Sequence, residues 1–232
     1  MKASIVLIPG MMCTKDIFAS QINYLSDLFN VLVIEFNAYD DIVSGVKDLS
    51  SNLPYEFHLL GHSMGGIVAM ELVRQLGERV LSLALLNTNP YEEKQELREK
   101  RNQRLKELDK LDLKALMKSD YINRYFPSIC KNRSKLIEKC VDMVSKLDKQ
   151  IFYNQSVALR DRKDQSTTLE RVTCKTLLVC GEKDQLCPVS YHSDMKTMIK
   201  KSDLIVLEGV GHMPTLECSE TLNNHLKNFF AL

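Results

Sequence analysis

Six short apolar runs recur along the chain, and most of them are followed by a segment with helical periodicity. The runs are Ala3–Ile8, Val31–Phe36, Phe57–Leu60, Val80–Leu86, Thr176–Cys180 and Leu204–Leu207. They are almost continuously apolar instead of alternating, which is typical of strands in a parallel sheet whose two faces are both covered by helices. The alternation of strand and helix predicts an α/β fold built on a mostly parallel, six-stranded, doubly wound sheet.

Helical patterns fill most of the intervals between these runs. They cover Asp16–Phe29, Ile42–Ser50, Met64–Leu76 and Val189–Lys200, and a final helix is expected over Glu217–Phe230. Residues 88–173 break the rhythm, since they are rich in charge and hold no convincing strand. We expect a core formed by residues 1–87 and 174–232. Residues 88–173 should form a helical cap, or lid, inserted after the fourth strand and lying over one end of the sheet.

Three helices are expected inside the cap, over Tyr91–Lys118, Lys135–Lys149 and Ile151–Asp161, with breaks at Pro127 and at Asn132-Arg133-Ser134. Most of the charges in these helices are interpreted as solvated faces. The alternative is that basic side chains of the cap bind an acidic substrate. Three arginines carry that alternative: Arg98, Arg101 and Arg104.

The segment Gly61-His62-Ser63-Met64-Gly65-Gly66 joins an apolar strand to a helix. A serine hydroxyl becomes a good nucleophile when a base removes its proton and a sharp strand-to-helix turn holds its oxygen clear. Glycines two residues before and two after the serine remove side chains that would clash in such a turn. The following helix points its first N–H groups and the positive end of its dipole toward a developing oxyanion. The pattern predicts Ser63 as a catalytic nucleophile.

The general base is predicted to be His212. It lies in the loop Gly209-Val210-Gly211-His212-Met213-Pro214, directly after the last predicted strand. The carboxyl ends of the strands are where an open α/β sheet places functional residues. The other histidines are assigned to a strand (His58), to packing beside the serine (His62) and to surface or core-edge positions on helices (His192 and His225).

The acid that orients this histidine is predicted to be Asp184. It lies in the loop that follows the fifth predicted strand, where Glu182 is the competing carboxylate and Glu208, in the next loop, a distant third. A purely local alternative for Asp184 is an Asx turn or a cap of the helix near Val189. The order serine, aspartate, histidine along the chain is the order expected of an α/β-hydrolase.

Two backbone N–H groups are needed to bind the oxyanion. We expect one from Met64, the residue after the nucleophile, and one from Met11, in the loop after the first strand, where Gly10 lets the backbone approach closely. If the chain crosses over between its first and third strands, both groups open onto the same crevice.

With these motifs the chain resembles the α/β-hydrolase superfamily, specifically its small capped, esterase-like serine hydrolases. The resemblance covers nearly the whole length outside the cap and is carried by Pro9-Gly10, Gly61-His62-Ser63-Met64-Gly65-Gly66, Gly181-Glu182-Lys183-Asp184 and Gly211-His212-Met213-Pro214. Two departures stand out. Relatives usually have His-Gly where this chain has Pro9-Gly10, so a side chain that supports the oxyanion loop is lost. The family's first two antiparallel strands also have no counterpart, which leaves six parallel strands.

The resemblance implies hydrolysis of a small carboxylic ester or thioester through an acyl-enzyme, with cap residues between Asn89 and Arg162 shaping the pocket. Haloalkane dehalogenases and epoxide hydrolases are disfavoured, because they carry aspartate where this chain has Ser63. The alternatives are a carbon–carbon bond hydrolase or lyase-type enzyme, an acyltransferase, and a hydrolase fold kept as a binding or sensing module. Fold alone does not separate them.

The net charge and the length of the apolar runs disfavour some classes of partner. A net charge of +1 gives no bulk attraction for nucleic acid, and no apolar run approaches the roughly 18 residues of a membrane span. The seven cysteines are scattered without metal-ligand or disulfide spacing. We therefore expect a cytoplasmic monomer or homodimer that acts on a small ester-like molecule, without a metal or cofactor.

Overall fold

The computed structural model describes residues 2–231. Its strands are β1 (Ser4–Ile8), β2 (Asn30–Val33), β3 (Phe57–His62), β4 (Val80–Leu86), β5 (Lys175–Gly181) and β6 (Ser202–Leu207). They form one sheet in the order β2-β1-β3-β4-β5-β6, and every neighbouring pair is parallel. The predicted parallel α/β sheet is confirmed.

The four central strands account for the continuous apolar runs in the sequence. β1 and β5, for example, bury every residue except the first. The two edge strands differ, since β2 has no fully buried residue and Val206 of β6 is 42% exposed. An edge strand has a neighbour on one side only, so the expected coverage on both faces holds for the centre of the sheet alone.

Helices fill the intervals between the strands. The α-helices are α1 (Ala19–Leu25), α2 (Ile42–Leu49), α3 (Met64–Leu76), α4 (Gln95–Glu107), α5 (Leu113–Met117), α6 (Asn123–Tyr125), α7 (Arg133–Ser145), α8 (Lys149–Arg160), α9 (Ser166–Leu169), α10 (Val189–Met198), α11 (Pro214–Glu217) and α12 (Ser219–Phe230). Short 3-10 turns lie at Lys15–Phe18, Ser50–Asn52, Gly77–Arg79 and Leu108–Lys110, and a π-helical turn at Lys118–Ile122.

Several predicted helix boundaries are wrong. The helix expected over Asp16–Phe29 is a 3-10 turn followed by α1, and the one expected over Tyr91–Lys118 is divided. The division has a local cause, because the Asp112 side chain accepts the N–H of Ala115 and starts α5. The expected break at Asn132-Arg133-Ser134 is confined to Asn132, which has a φ of 59° and precedes α7.

Residues 88–173, between β4 and β5, contain α4 to α9 and are called the helical insertion below. Its helices differ in burial: α4 has no buried residue, whereas α7 and α8 each bury one face. A buried hydrogen bond of 2.8 Å from the N–H of Met12 to Gln155 of α8 ties the insertion to the loop after β1.

Candidate active site

Ser63 lies on a strained turn between β3 and α3. Its φ of 53° and ψ of −118° are unusual for a residue with a side chain. Glycine is required on both sides of it: a Cβ on Gly61 would lie 2.3 Å from the carbonyl oxygen of Gly65, and one on Gly65 would lie 2.0 Å from that of Ile8. The G-x-S-x-G pattern therefore records close backbone contacts that hold the serine in position.

The structure brings Ser63, His212 and Asp184 together. His212 Nε2 is 3.0 Å from Ser63 Oγ, and His212 Nδ1 is 2.8 Å from Asp184 Oδ2. The side chains of His212 and Asp184 are almost fully buried. In this geometry the serine hydroxyl donates to the imidazole, and the imidazole N–H donates to the carboxylate. The arrangement can remove the proton of Ser63 and stabilise the resulting imidazolium.

Both oxygens of Asp184 are engaged. Oδ1 accepts the N–H groups of Leu186 and Cys187, so the predicted local turn coexists with the contact to His212 through Oδ2. Burial opposes ionisation of the carboxyl, but His212 and the donated hydrogen bonds outweigh burial and lower the pKa of Asp184 to about 2. Its competitors lie elsewhere. Glu182 is exposed and accepts the N–H of Gly209, and Glu208 is also exposed.

Asn87, which the sequence analysis did not single out, contacts the same carboxylate. It is fully buried at the end of β4, and its Nδ2 donates to Asp184 Oδ2 at 2.8 Å and to the carbonyl oxygen of Gly211 at 3.0 Å. Its φ is 46°, a conformation that asparagine tolerates better than most residues. An asparagine at the carboxyl end of a central strand was the available signal.

Three groups fix the loop that carries His212. The buried His62 donates from Nε2 to the carbonyl oxygen of His212 at 2.9 Å, and the N–H of His212 donates to the carbonyl oxygen of Tyr125 at 2.7 Å. Glu217 accepts the N–H groups of Gly211 and Met213. Burial, reinforced by the neighbouring His212, lowers the pKa of His62 to about 3, so it is a neutral donor. His62 therefore supports the loop by packing and hydrogen bonding.

His192 is a correction to the sequence interpretation, which placed it at the surface or the edge of the core. Its side chain is fully buried, and Nε2 accepts the N–H of Thr88. Burial lowers the pKa of His192 to about 4. The buried residues of α10 are His192 and Met195, so one of the two positions that mark its buried side carries a polar side chain.

The expected oxyanion donors, Met11 and Met64, line the cavity beside Ser63. The N–H of Met64 opens α3, where the first N–H groups of a helix lack intrahelical acceptors. Within residues 2–231, neither N–H donates to a protein acceptor. The neighbouring Met12, at φ 53°, donates instead to Gln155, whose Nε2 binds the carbonyl oxygen of Phe36. Gln155 thus ties the loop after β1 to α8 and to the segment after β2.

The cavity in front of Ser63 has a volume of about 330 Å³. The core contributes Ser63 and His212, and the helical insertion contributes Tyr91 and Tyr125 among other side chains. The ring of Tyr125 lies 5.2 Å from that of His212, centroid to centroid. The wall of the cavity at Ser63 is therefore built from residues of both regions.

The arginines of α4 do not share one environment. Arg98 pairs with Asp161 outside the cavity, and Arg104 pairs with Asp120 and Tyr121. The side chain of Arg101 is 11% exposed, pairs with Glu93 and lines the cavity. For Arg101 the interpretation as a solvated face is wrong, because its side chain is mostly buried in the wall of the cavity.

Asp184, Cys187 and His212 place three potential metal-ligand atoms within 4.8 Å of one another. Two of these side chains are hydrogen-bonded to each other, and burial raises the pKa of the Cys187 thiol far above neutrality. A protonated thiol is a poor metal ligand, so the chemistry of this group fits an acid–base relay better than a metal site. No helix of the described chain is long and apolar enough to cross a membrane.

Comparisons with known proteins identify the family and the fold. The model of the alpha/beta hydrolase family matches residues 5–224. Monoacylglycerol lipase ABHD6 of Mus musculus is 25% identical over 271 residues, covering 99% of this chain and 76% of that protein. A thermophilic esterase from Thermogutta terrifontis superposes with a TM-score of 0.90 at 21% identity, covering 100% of this chain and 90% of the other. The enol-lactonase from Burkholderia xenovorans LB400 gives a TM-score of 0.88 at 16% identity, covering 100% and 92%.

Proposed function

The chain belongs to the alpha/beta hydrolase family, and we propose that it hydrolyses a small carboxylic ester or thioester through a triad of Ser63, His212 and Asp184. The observation that carries this proposal is the continuous hydrogen-bonded relay from Asp184 Oδ2 through His212 to Ser63 Oγ. The strained turn at Ser63 supports it, because that turn presents the hydroxyl to the cavity. The esterase and lipase among the similar proteins support the same reaction class.

The first half of the reaction forms an acyl-enzyme. His212 Nε2 takes the proton of Ser63 Oγ as the oxygen bonds to the carbonyl carbon of the ester, whose π electrons move onto the carbonyl oxygen. Asp184, ionised because its pKa is about 2, stabilises the imidazolium. The N–H groups of Met11 and Met64 bind the oxyanion. When the oxyanion collapses, the ester C–O bond breaks, His212 Nε2 gives its proton to the leaving oxygen, and the alcohol departs from a neutral His212.

The second half releases the acid. His212 takes a proton from water as the water oxygen bonds to the acyl carbon. Collapse of the second oxyanion breaks the bond between the acyl carbon and Ser63 Oγ, and His212 gives its proton to Oγ as the acid leaves. A thioester follows the same steps with a thiol as the leaving group. An enol-lactone, the substrate in the name of one structural neighbour, is an internal ester and also fits this chemistry.

We assign the helical insertion as the cap of this site. Tyr91, Tyr125 and Leu159 line the cavity together with Ser63. The hydrogen bond from the N–H of His212 to the carbonyl oxygen of Tyr125 fastens the insertion to the loop of the general base. The cap therefore both shapes the acyl or alcohol pocket and stabilises the position of His212.

A panel of p-nitrophenyl esters of increasing acyl length, run beside thioester and diketone substrates, tests the proposal. Ser63→Ala should lower kcat for esters by about 10⁴- to 10⁶-fold with the melting temperature little changed. Ser145→Ala, which removes an exposed hydroxyl bonded to the carbonyl of Asp142, is the matched control and should keep full activity. Near-full ester hydrolysis by Ser63→Ala would contradict the proposal, and turnover of diketones alone would favour carbon–carbon bond hydrolysis.

A further inference from the structure

Three charged side chains of the helical insertion meet beside the Ser63 cavity. Arg101 Nε lies 2.7 Å from Glu93 Oε2, and the Arg162 guanidinium contacts both oxygens of Glu93, at 2.9 and 3.2 Å. The side chains of Arg101, Glu93 and Arg162 are only 11%, 3% and 7% exposed. Two guanidinium groups thus share one carboxylate, and one positive charge is left without a partner in a largely desolvated place.

The unpartnered donors belong to Arg101. Each of the three nitrogens of the Arg162 guanidinium has an acceptor, because besides Glu93 it donates to the carbonyl oxygens of Tyr91 and Leu159. Arg101 donates to Glu93 through Nε, and its Nη1 lies 3.7 Å from the sulfur of Met11, which is a weak acceptor. Within the described chain, no oxygen accepts a hydrogen bond from the terminal nitrogens of Arg101.

Lys100 also lines the cavity, but its side chain is exposed and water solvates its charge, whereas three other cations near the cavity are engaged by the protein. Arg104 is paired with Asp120, Arg124 donates to the carbonyl oxygen of Gln185, and the Lys94 ammonium lies over the ring of Tyr191. Removing a charge from water is costly unless an opposite charge or good acceptors replace the water. Arg101 is the cation of the cavity wall for which this compensation is incomplete.

The position of Arg101 links it to the reaction centre. Its contact with the Met11 sulfur places the guanidinium beside the oxyanion loop, and Arg101, Met11 and Ser63 line the same cavity. A planar guanidinium with two free donors matches the two oxygens of a carboxylate. We propose that Arg101 binds a free carboxylate of the substrate, so that the preferred substrates are esters carrying a second, unesterified acid group. This inference rests on the proposed ester hydrolysis at Ser63.

Two matched pairs of esters test the preference, measured by proton release at constant pH. Monoethyl glutarate carries the carboxylate in its acyl part, and ethyl pentanoate is its neutral counterpart. For the alcohol part, 4-acetoxybutanoate is compared with butyl acetate. In at least one pair the wild type should favour the anionic ester by about tenfold or more in kcat/KM, the size expected of one charge-assisted interaction.

Arg101→Gln should reduce that preference by about tenfold while still offering Glu93 a donor. Arg98→Gln is the matched control, since Arg98 lies on the same helix but pairs with Asp161 outside the cavity, and it should keep the wild-type preference. The proposal is overturned if neither pair shows a preference, or if Arg101→Gln changes both esters of the preferred pair equally.

A binding measurement separates this inference from the proposed function. Glutarate should bind the Ser63→Ala variant in calorimetry and raise its melting temperature, and the added Arg101→Gln change should remove both effects. Pentanoate at the same concentration should do neither. Glutarate binding through Arg101 in an enzyme that hydrolyses no ester would sink the proposed function alone. Ester hydrolysis without preference, and with no glutarate binding, would sink this inference alone.

Discussion

The helices α3 and α4 are both 13 residues long, yet they are built in opposite ways. α3 buries ten residues against the sheet and begins at the residue after Ser63, whereas α4 buries none and carries Arg101. In α3 an apolar surface fixes the position of the helix and therefore of Ser63. In α4 the arginines are instead held by ion pairs with residues outside the helix: Glu93, Asp120 and Asp161. Under the proposed function, the difference separates two tasks: the core positions the reaction, and the insertion selects what reacts.

This comparison predicts different signatures for substitutions in the two regions. A change in the core should slow the reaction for every ester, because the same relay acts on each of them. A change in the wall of the insertion should alter the ratio between substrates. Substitutions of residues that join the core to the insertion show whether they affect the rate for every ester or the ratio between esters.

The largest effect is expected in the core, from Asp184→Asn. An amide in place of the carboxylate favours the wrong tautomer of His212 and cannot stabilise the imidazolium, so kcat should fall by about 10⁴-fold for all esters. Steady-state kinetics on a neutral and an anionic ester measure this loss. The control is Glu182→Gln, whose exposed side chain accepts hydrogen bonds from Gly209 and Lys183, and it should keep wild-type rates. A larger loss in Glu182→Gln than in Asp184→Asn would reverse the assignment of the acid.

An intermediate effect is expected where the two regions join. Gln155→Ala removes the acceptor of the Met12 N–H and the donor to Phe36, so the oxyanion loop loses its support from α8. We expect kcat to fall by about 10- to 100-fold with little change in KM, because a small displacement of an oxyanion donor weakens the transition state more than the bound substrate.

The control for this prediction is Gln150→Ala on the same helix, which removes only an exposed contact to Asn154. Gln155→Ala should slow neutral and anionic esters alike, unlike Arg101→Gln. A change in the ratio between the two esters would show that Gln155 acts on substrate selection and would contradict its assignment to the support of the reaction centre.

The smallest effect on activity at neutral pH is expected from His62, whose substitution should instead change how the free energy of unfolding depends on pH. Burial lowers its pKa from 6.5 to about 3, so between these values the unfolded chain binds a proton that the folded chain does not. The stability that the neutral His62 provides is complete above pH 6.5 and is lost as the pH falls toward 3. His192, with a pKa of about 4, adds a loss in the same direction.

His62→Gln keeps a donor for the carbonyl oxygen of His212 but cannot take up a proton. Between pH 6 and pH 4, the free energy of unfolding should therefore fall less steeply than in the wild type, by about 1.4 kcal/mol per pH unit. Urea titrations across this range measure the slope, with His225→Gln, on the partly exposed side of α12, as the control. Equal slopes in His62→Gln and the wild type would contradict a buried neutral His62.

Local patterns account for what the sequence predicted well. Continuous apolar runs predicted the strands. The glycines on either side of Ser63 predicted a sharp turn, and in the structure both lie so close to other backbone atoms that a Cβ would clash. Loops at strand ends directed attention to Asp184 and His212, because a parallel sheet gathers those ends at one edge. The structure places these two residues beside Ser63, as the order along the chain suggested.

Contacts between distant segments account for what was missed. Asn87 and Asp184 are 97 residues apart, and Met12 and Gln155 are 143 apart. The helical period of α8 predicts that one face is buried but does not say which backbone group meets Gln155. The same limit applies to α4, where charge spacing alone does not distinguish Arg101, which faces the cavity, from Arg98, which faces solvent.

Labelling by a fluorophosphonate tests the central claim most directly, because this reagent reacts with a serine that a neighbouring base activates. Intact-protein and peptide mass spectrometry should find one label per chain, located on Ser63. Labelling should disappear in Ser63→Ala and slow strongly in Asp184→Asn. A label on another residue, or equal labelling of the wild type and Ser63→Ala, would contradict the account.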